Sequence, residues 1–462
     1  MNRSRNIVRC ALALLIVTSS AAAAETYYVR ASGNDLSDGL TPATAFRTIQ
    51  KAVNMADGPG HTIVVGPGVY DEKVQIGTGA GMAAKSGVAD DLNVLRADPS
   101  GAATGDMSGE VVIRGGASRD IGIEIKQRNY WLVQSFTFRG QGRFGIRSDT
   151  TTGLTISQCL FDRPVDYGIR CDQATDLRIE RNTIVRDAGT GHGIHALGAG
   201  GGFIRISANR VTMEGDEYLS TPFARGEKPK GPKANHATNA YGILAGAGRN
   251  LPINAVIENN IVSDSYIGIY ANGGVPGSSL KVASNTVVGC TFGLYAMAKK
   301  TATVELCDNI VAWCYQGVYA DAKDALVTVD GLLEHEVAMN TLGKPPMVKK
   351  EEKGKKESKD SEPAKARPAP IPFVVLKGSI LTGDPLFTDP AAGDFTPQAG
   401  SPAIDAATGS AGTATDFAGT ARPQDGDRDG EALPDFGAVE RPPGAGAIRR
   451  VVQWREVPRI VE

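Results

Sequence analysis

Aromatic side chains, net charge and long apolar runs are all scarce in this sequence of 462 residues. Aromatic residues make up 6% of the chain, so any local cluster of rings is informative. The formal net charge is −2, which gives no global attraction to nucleic acid or to an anionic membrane surface. We therefore expect no nucleic-acid partner.

The one marked apolar run lies at the start of the chain. Arg3, Arg5 and Arg9 precede the run from Ala11 to Val17, and small residues from Ala21 to Ala24 offer a cleavage site. This pattern is typical of a signal peptide. No later segment approaches the roughly 20 apolar residues that a membrane helix needs. We expect a secreted or periplasmic protein, in some settings attached to the cell surface, without an integral membrane segment.

Cysteines are also few, and one of the six lies in the signal peptide. The odd number that remains is a poor disulfide framework. Export permits a bridge, and Cys290 and Cys314 occupy matching places in successive repeats. The alternative, which we favour, is that these two cysteines are small buried hydrophobes in one stacked column.

Glycine, by contrast, is abundant and periodic. A glycine followed by an aliphatic residue returns about every 24 residues, with one interval about twice as long. The glycines of this repeat are Gly122, Gly145, Gly168, Gly193, Gly242, Gly268, Gly293 and Gly317. A period in this range indicates a solenoid.

Asparagine marks the same period. Each of these asparagines lies between two short β-type runs: Asn182, Asn209, Asn260, Asn285 and Asn309. Three short strands per repeat predict stacked coils whose parallel strands lie about 4.8 Å apart. We therefore predict an all-β right-handed parallel β-helix, in which the aliphatic residues face the core and the asparagine amides bind backbone groups of neighbouring coils.

Both ends of such a stack need caps. Apolar residues between Ala45 and Ala56 recur with helical spacing and predict an N-terminal capping helix. A Lys/Glu/Pro tract has almost nothing to bury and is predicted to be disordered. The chain then divides into a signal peptide at 1–24, the β-helix with its N-terminal cap at 25–343, the disordered insert at 344–370, and an irregular C-terminal closing segment at 371–462.

Motifs at both ends resemble known proteins. Tyr27-Tyr28-Val29, Phe46-Arg47-Thr48-Ile49 and Val65-Gly66-Pro67-Gly68-Val69-Tyr70 resemble the opening of right-handed β-helix proteins of the pectate-lyase-like superfamily. Gly383-Asp384-Pro385-Leu386-Phe387, Gly400-Ser401-Pro402-Ala403-Ile404-Asp405 and Asp435-Phe436-Gly437-Ala438-Val439-Glu440 resemble the closing segment of choice-of-anchor Q domain proteins. The superfamily contains lyases, hydrolases and epimerases, so the resemblance is specific for fold and leaves the activity open.

Alternation along each strand sends charged side chains outward from neighbouring coils. Arg147, Arg170 and His195 fall in one column, beside a second column that holds Lys126, Asp149 and Asp172. Like charges directly opposite are unfavourable, so we expect either diagonal pairing between arginine and aspartate or a bound ligand.

The resemblance implies a uronate ligand here. In the lyases that this chain resembles, the substrate groove runs along this sheet, carboxylates hold calcium, and an arginine or lysine is the base. Carried over, Asp149 and Asp172 hold calcium, Arg147 binds the uronate carboxylate, and Arg170 or Lys126 takes the proton, with His195 beside them. The leading hypothesis is a polysaccharide lyase that cleaves a uronate-containing polymer by β-elimination.

Three other functions remain open. A flat row formed by Tyr270, Tyr295 and Tyr319 would suit a non-catalytic glycan-binding or adhesive protein. Gly191-His192-Gly193-Ile194 is similar to a motif of polygalacturonase-type hydrolases, which would give His192 a substrate-binding role. Arg205-Ile206-Ser207, however, lacks the lysine of their second motif. A purely structural wall component would neither bind nor cleave.

A second candidate calcium site lies near the C-terminus. Asp425, Asp427 and Asp429 alternate before Gly430, like the first half of an EF-hand loop. The twelfth position is Phe436 instead of glutamate, so an ordinary acidic turn is the alternative. Taken together, the sequence predicts a monomer whose partner is an acidic polysaccharide.

Overall fold

The computed structural model describes residues 24–77, 84–116, 118–187, 191–214, 240–248, 250–338 and 374–444. The predicted disordered insert, nearly all of the predicted signal peptide and most of the loop between Met213 and Ala240 lie outside these ranges. Within them, no helix has the length and apolar character needed to cross a membrane.

Nine parallel strands form the front sheet, and each pairs with the strand one coil before and one coil after it. The strands are Val74–Ile76, Ile121–Lys126, Phe144–Thr152, Tyr167–Thr175, His192–Gly198, Tyr241–Ala247, Ile267–Gly273, Phe292–Lys299 and Gln316–Lys323. Their register follows the glycine repeat, since Ile146 pairs with Ile169 and Ile169 with Ile194.

A second sheet bends into two faces. Its side face contains Thr26–Val29, Thr62–Val65, Asn93–Ala97, Trp131–Gln134, Thr155–Ser157, Leu177–Glu180, Phe203–Ser207, Asn254–Glu258, Ser279–Ala283 and Val374–Leu376. Its back face contains Gly68–Tyr70, Val111–Arg114, Thr137–Arg139, Leu160–Asp162, Thr183–Asp187, Arg210–Glu214, Ile261–Ser263, Thr286–Val288 and Ile380–Thr382. Two long strands, Thr303–Ala312 and Leu326–His335, run across both faces and join them.

The repeat glycines have a steric cause. A Cβ on Gly145 would lie 2.2 Å from Phe161, and one on Gly193 would lie 2.3 Å from Val211. The back face therefore inserts its inward side chain into the space that a front-sheet side chain would fill. In the last full coil the inserted residue is Glu334, whose Oε1 lies 2.3 Å from the Cβ position of Gly317. Burial raises the pKa of Glu334 to about 7.

The asparagines form the predicted ladder in the turn between the side and back faces. Asn285 Oδ1 accepts the backbone N–H of Asn260 at 2.9 Å and its side-chain N–H at 3.0 Å. Asn285 Nδ2 in turn donates to Ile257 O at 2.9 Å. The residue before each asparagine is left-handed, with φ between 51° and 57°. The prediction of a structural role for these side chains is confirmed.

The N-terminal cap is a helix at Ile49–Met55, shorter than the predicted segment. Thr48 caps it by accepting the N–H of Lys51, and the carboxylate of Glu72 accepts the N–H groups of Ile49 and Gln50. Ile49, Ala52 and Val53 are buried against the first coils. Two short 3₁₀ helices lie at Pro42–Thr44 and Pro390–Ala392.

The five cysteines in the described part of the chain are all buried and form no disulfide, which confirms the interpretation of Cys290 and Cys314 as packed small side chains. The free thiols are Cys159, Cys171, Cys290, Cys307 and Cys314. Burial raises the pKa of Cys171 to about 12, so this thiol remains protonated and unreactive.

The closing segment follows the last strands of the β-helix and packs mainly on the outside of the back face. It contains one antiparallel hairpin, formed by Phe387–Asp389 and Asp394–Pro397. Phe387, Phe395 and Phe436 pack on outward apolar residues of the back face, which include Ile261 and Leu333. A buried ion pair holds the segment together, with Arg422 Nη1 3.0 Å from Glu440 Oε2.

Candidate functional site

The front sheet places charged side chains on its early coils and tyrosines on its later coils. We call the strands from Ile121–Lys126 to His192–Gly198 the charged half, and those from Ile267–Gly273 to Gln316–Lys323 the tyrosine half. Arg147 pairs in register with Arg170, and Arg170 with His195. The first predicted column is therefore correct.

The second column is interrupted. Asp149 pairs with Asp172 as predicted, but the register shifts between Cys171 and Ala174, where Asp172 and Gln173 lie opposite the single residue Leu197. Such a β-bulge changes the direction of a side chain. Here the Gln173 amide donates to Asp149 Oδ1 at 3.2 Å.

Two of the predicted bases are held in ion pairs. Arg170 Nε lies 2.8 Å from Asp172 Oδ2, and Arg170 Nη1 donates to the Tyr167 hydroxyl at 3.2 Å. Burial lowers the pKa of Arg170, but the hydrogen bond to Asp172, the charge of Asp172 and the contact with Tyr167 together outweigh burial and raise the pKa overall. Lys126 Nζ lies 2.7 Å from Glu124 Oε1. Neither cation is suited to accept a proton.

Arg147 differs from its neighbours in the charged half. Its guanidinium lies 5.6 Å from the ring centre of Phe144, and it forms no ion pair with any residue that the structure describes. Its Nε–H is buried and has no hydrogen-bond acceptor in the same part of the chain. A half-buried cation without a carboxylate partner favours an anionic ligand.

Two histidines lie one strand beyond Arg170. The rings of His192 and His195 have centres 5.1 Å apart, and that of Tyr167 lies 4.8 Å from His192 and 5.6 Å from His195. Burial lowers the pKa of His192 to about 3 and that of His195 to about 4. Both imidazoles are therefore neutral at neutral pH. His192 Nδ1 accepts the N–H of Tyr241 at 3.3 Å, whereas His195 Nδ1 is buried without a partner among the described residues.

A buried arginine binds backbone carbonyl groups beside these histidines. Arg186 is 2% exposed, and its guanidinium donates to the backbone carbonyls of His192 at 2.9 Å and Asp166 at 2.5 Å, as well as to that of Val165. Burial lowers the pKa of Arg186 to about 10, so it remains charged at neutral pH. No sequence pattern marks Arg186 as a structural residue. Its partners are backbone carbonyl groups, which every residue has, so they leave no pattern of side chains to recognise.

The structure also shows a row of aromatic rings that the sequence analysis missed. In five coils the residue before the repeat glycine is aromatic. This sequence signal could have revealed the part of the row that lies before Tyr270. Successive ring centres lie 4.5 to 5.6 Å apart along Phe144, Tyr167, His192, Tyr241, Tyr270, Tyr295 and Tyr319. This aromatic row connects the charged half to the tyrosine half.

The predicted flat arrangement of tyrosines is wrong. The planes of Tyr270 and Tyr295 are inclined by 62°, and those of Tyr295 and Tyr319 by 32°. Edge-to-face contact is the preferred geometry of neighbouring aromatic rings. The tyrosines therefore stabilise one another and present edges as well as faces to solvent.

The predicted calcium ligands of the front sheet bind other side chains, whereas two of those in the closing segment lie close together. Asp172 is bound to Arg170, and Asp149 accepts hydrogen bonds from Thr150 and Gln173. Calcium usually requires six to eight oxygen ligands, so Asp149 and Asp172 provide too few free carboxylate oxygens for a calcium site. Among the described residues, the one group of three or more potential ligands within 4.8 Å of one another is Asp405, Asp425 and Asp427. Asp429 is not part of that group.

Comparisons with known proteins agree on the architecture. The family described as the right handed beta helix region matches residues 101–221, and no curated protein matches the chain. Among solved structures, the pectate lyase Pel9A is 15% identical, with a TM-score of 0.48, over 90% of this chain and 96% of that one. An alginate lyase from Paenibacillus is 15% identical, with a TM-score of 0.41, over 67% and 95% of the two chains. A structure described as a glycoside hydrolase is 12% identical, with a TM-score of 0.46, over 68% and 94%. The predicted right-handed parallel β-helix is confirmed by the strand pairing and by the matching family.

Proposed function

We propose that the protein binds an acidic polysaccharide along its front sheet and cleaves it by β-elimination at the charged half. The observation that supports this most is the guanidinium of Arg147, which lacks a carboxylate partner in the described part of the chain and lies on the same face as two neutral histidines. A uronate carboxylate is the ligand that this combination suits.

β-Elimination requires two groups from the protein. One neutralises the uronate carboxylate, so that the neighbouring C–H proton becomes acidic, and the other accepts that proton. In our proposal Arg147 supplies the charge. His195 supplies the base, because its imidazole is neutral at neutral pH and its side chain is half-buried on the front sheet. Its Nδ1 is enclosed, so Nε2 is the atom that would accept the proton. The backbones of the two residues lie two coils apart, about 10 Å. Because the carboxylate and the acidic C–H belong to the same ring carbon, the two side chains must converge on it, and the long Arg147 side chain covers most of this distance.

The other members of the cluster hold the base in place. Arg186 fixes the backbone before His192, and the Tyr167 ring packs against both histidines. In the proposed step the Tyr167 hydroxyl, which accepts a hydrogen bond from Arg170, gives a proton to the leaving oxygen. His195 thus replaces Arg170 and Lys126 as the base, since both cations are engaged with carboxylates. No step in this mechanism uses calcium at Asp149 and Asp172.

The test is incubation of the mature protein with pectate, alginate and glycosaminoglycans across pH 5 to 9, with and without chelator. We expect ultraviolet absorbance from unsaturated uronide products on at least one polymer. Because the proposed base titrates near pH 4, activity should persist at pH 5. Absence of unsaturated product on every polymer and at every pH contradicts the lyase proposal.

A second candidate is glycan binding without turnover. It is favoured by the aromatic row, which continues through the tyrosine half beyond the charged residues. Aromatic rings offer sugar rings a stacking surface at any point along the chain. This function predicts retention on an immobilised polysaccharide with no product formed, and a lack of retention contradicts it.

The proposal also includes export and a calcium ion in the closing segment. The Oδ1 atom of Asp425 is buried without a partner among the described residues, next to Asp405 and Asp427. We expect calcium to raise the melting temperature of the wild type, and chelator to lower it. Asp425→Asn should remove this response, whereas Asp429→Asn should keep it. An identical response in wild type and Asp425→Asn contradicts calcium at this site. N-terminal sequencing of the exported protein tests the cleavage site.

A further inference from the structure

We propose that a cleft beside the charged half is a subsite for a neutral sugar, so that the polymer carries neutral as well as acidic units. The statement about the acidic units rests on the proposed function. The cleft has a volume of about 370 Å³ and is lined by Gln127, Asn129, Thr150, Thr151, Thr152, Gln173, Thr175 and Ala199. Its volume lies in the range of small-molecule sites.

The cleft lies where strands of the front sheet end. Thr150 and Thr152 belong to the strand Phe144–Thr152, and Gln173 and Thr175 belong to Tyr167–Thr175. Asn129 comes from the preceding coil and Ala199 from the following one. Four coils contribute, so the cleft extends about 14 Å along the stack, parallel to the aromatic row.

The chemistry of the lining suits a neutral ligand. Every lining residue except Ala199 is an amide or a hydroxyl, and none is charged. Amides and hydroxyls both donate and accept hydrogen bonds, which matches the hydroxyl groups of a neutral sugar. Two ionised groups of opposite sign contact lining residues: Asp149 Oδ1 accepts from Thr150 at 3.0 Å, and Arg128 Nη1 donates to the Gln127 carbonyl at 3.0 Å. Because their charges offset each other, the cleft gives a uronate no net attraction.

The polar groups that a ligand could reach are those of half-buried lining residues. Thr152, Gln173 and Thr175 are each half-buried, whereas the hydroxyl of Thr151 is enclosed and this residue pairs with the core residue Ala174.

The backbone turns at the same place in three successive coils to form this cleft. Gln127, Thr150 and Gln173 are all left-handed, with φ of 51°, 55° and 54°. The β-bulge after Cys171 redirects Gln173 towards Asp149 at the rim.

The test removes hydroxyls without changing shape. In Thr152→Val with Thr175→Val, two half-buried hydroxyls of the cleft become methyl groups. The matched control is Thr155→Val with Thr183→Val, which changes two half-buried threonines on the side and back faces. The probes are methyl glycosides of galactose, rhamnose, glucose and xylose, together with methyl galacturonoside, and binding is measured by saturation-transfer NMR and calorimetry.

We expect at least one neutral glycoside to bind the wild type, at least tenfold weaker binding to the cleft variant, and unchanged binding to the control. If the cleft variant does not fold, Gln173→Ala provides the same comparison. The proposal is overturned if no neutral glycoside binds, if the control loses as much affinity as the cleft variant, or if methyl galacturonoside binds in the same place with equal affinity.

Turnover separates this proposal from the lyase proposal. Cleavage of a pure uronate polymer at the same rate by wild type and cleft variant, together with no preference for a mixed polymer, overturns the neutral subsite and leaves the lyase intact. Loss of neutral glycoside binding in the cleft variant, with no polymer cleaved by the wild type, supports the subsite and overturns the lyase.

Discussion

The charged half and the tyrosine half of the front sheet share one backbone and differ in their outward column. Ile146, beside Arg147, and Leu294, beside Tyr295, are equally buried in the same core. The asparagine ladder runs beneath both halves. The difference shows that the inward and turn positions maintain the coil, while the outward position is free to carry chemistry. Function in such a stack can therefore change coil by coil without loss of the fold.

The largest effect is expected from Arg147, the cation of the charged half that has no ion-pair partner among the described residues. Arg147→Gln should reduce uronide-forming activity about 100- to 1000-fold, as removal of a group that stabilises transition-state charge usually does. The control, Arg178→Gln, changes an exposed arginine on the side face and should leave the rate unchanged. Equal rates for Arg147→Gln and wild type would place the charged step elsewhere.

The two halves should respond to pH in opposite directions. Glu334 packs behind Gly317 in the last strand of the tyrosine half, and burial raises its pKa to about 7. Its contribution to stability is therefore present below its unfolded pKa near 4.5 and is lost as pH rises to 7. His195 has its pKa lowered to about 4, so its contribution is present above pH 6.5 and is lost as pH falls towards 4.

Urea unfolding at pH 4 to 8 measures this difference. Glu334→Gln should remove the loss at higher pH and gain up to about 3 kcal/mol over wild type at pH 8. Glu305→Gln, an exposed residue of the strand Thr303–Ala312, should follow the wild type. Parallel curves for wild type and Glu334→Gln would show that this carboxylate is solvated in the folded protein.

The asparagine ladder should contribute equally to the stability of the coils in the two halves. Asn182→Ala beneath the charged half and Asn285→Ala beneath the tyrosine half each leave buried backbone groups without a partner. Each should therefore lower the free energy of unfolding by about 2 kcal/mol. Thermal and urea unfolding of both variants provides the measurement. A loss confined to one of them would mean that the scaffold, and not only its outward column, differs between the halves.

The smallest effect is expected in the tyrosine half. Tyr295→Ala removes three ring contacts, with Tyr270, Phe292 and Tyr319, and should weaken polysaccharide retention by about 1 kcal/mol, or roughly fivefold. Tyr28→Ala, a half-buried tyrosine on the side face, is the control. If Tyr295→Ala abolished turnover as completely as Arg147→Gln, the separation of the two halves would be wrong.

Much of the scaffold was predictable from the sequence because it repeats. The glycines and asparagines defined the coils, and the register that brings Arg147 beside Arg170 followed from them. The bulge after Cys171 was not predictable, because a shift between Asp172 and Leu197 leaves the glycine spacing almost unchanged. The same limit concealed the polar cleft, whose residues carry no periodic signal.

Side-chain partners were harder to predict than register. The ion pair of Arg170 with Asp172 lies within one strand, whereas diagonal pairing between coils was expected. Asp405 joins Asp425 and Asp427 from 20 residues earlier in the chain, a proximity that depends on how the closing segment folds. The tilt of the tyrosine rings is set by packing between side chains, which strand alternation does not specify.

The closing segment fastens coils that are distant in sequence. Gly393 accepts a hydrogen bond from Arg210, Thr415 from Asn259, and Ser410 from Lys281, while Thr408 donates to Asp308. A solenoid held only by contacts between neighbours can lose its terminal coils one at a time. Here the closing segment joins several coils into one cooperative block, so the stack from the coil of Arg210 onwards should unfold as a unit, while the coils before it, which these four contacts do not reach, can open independently.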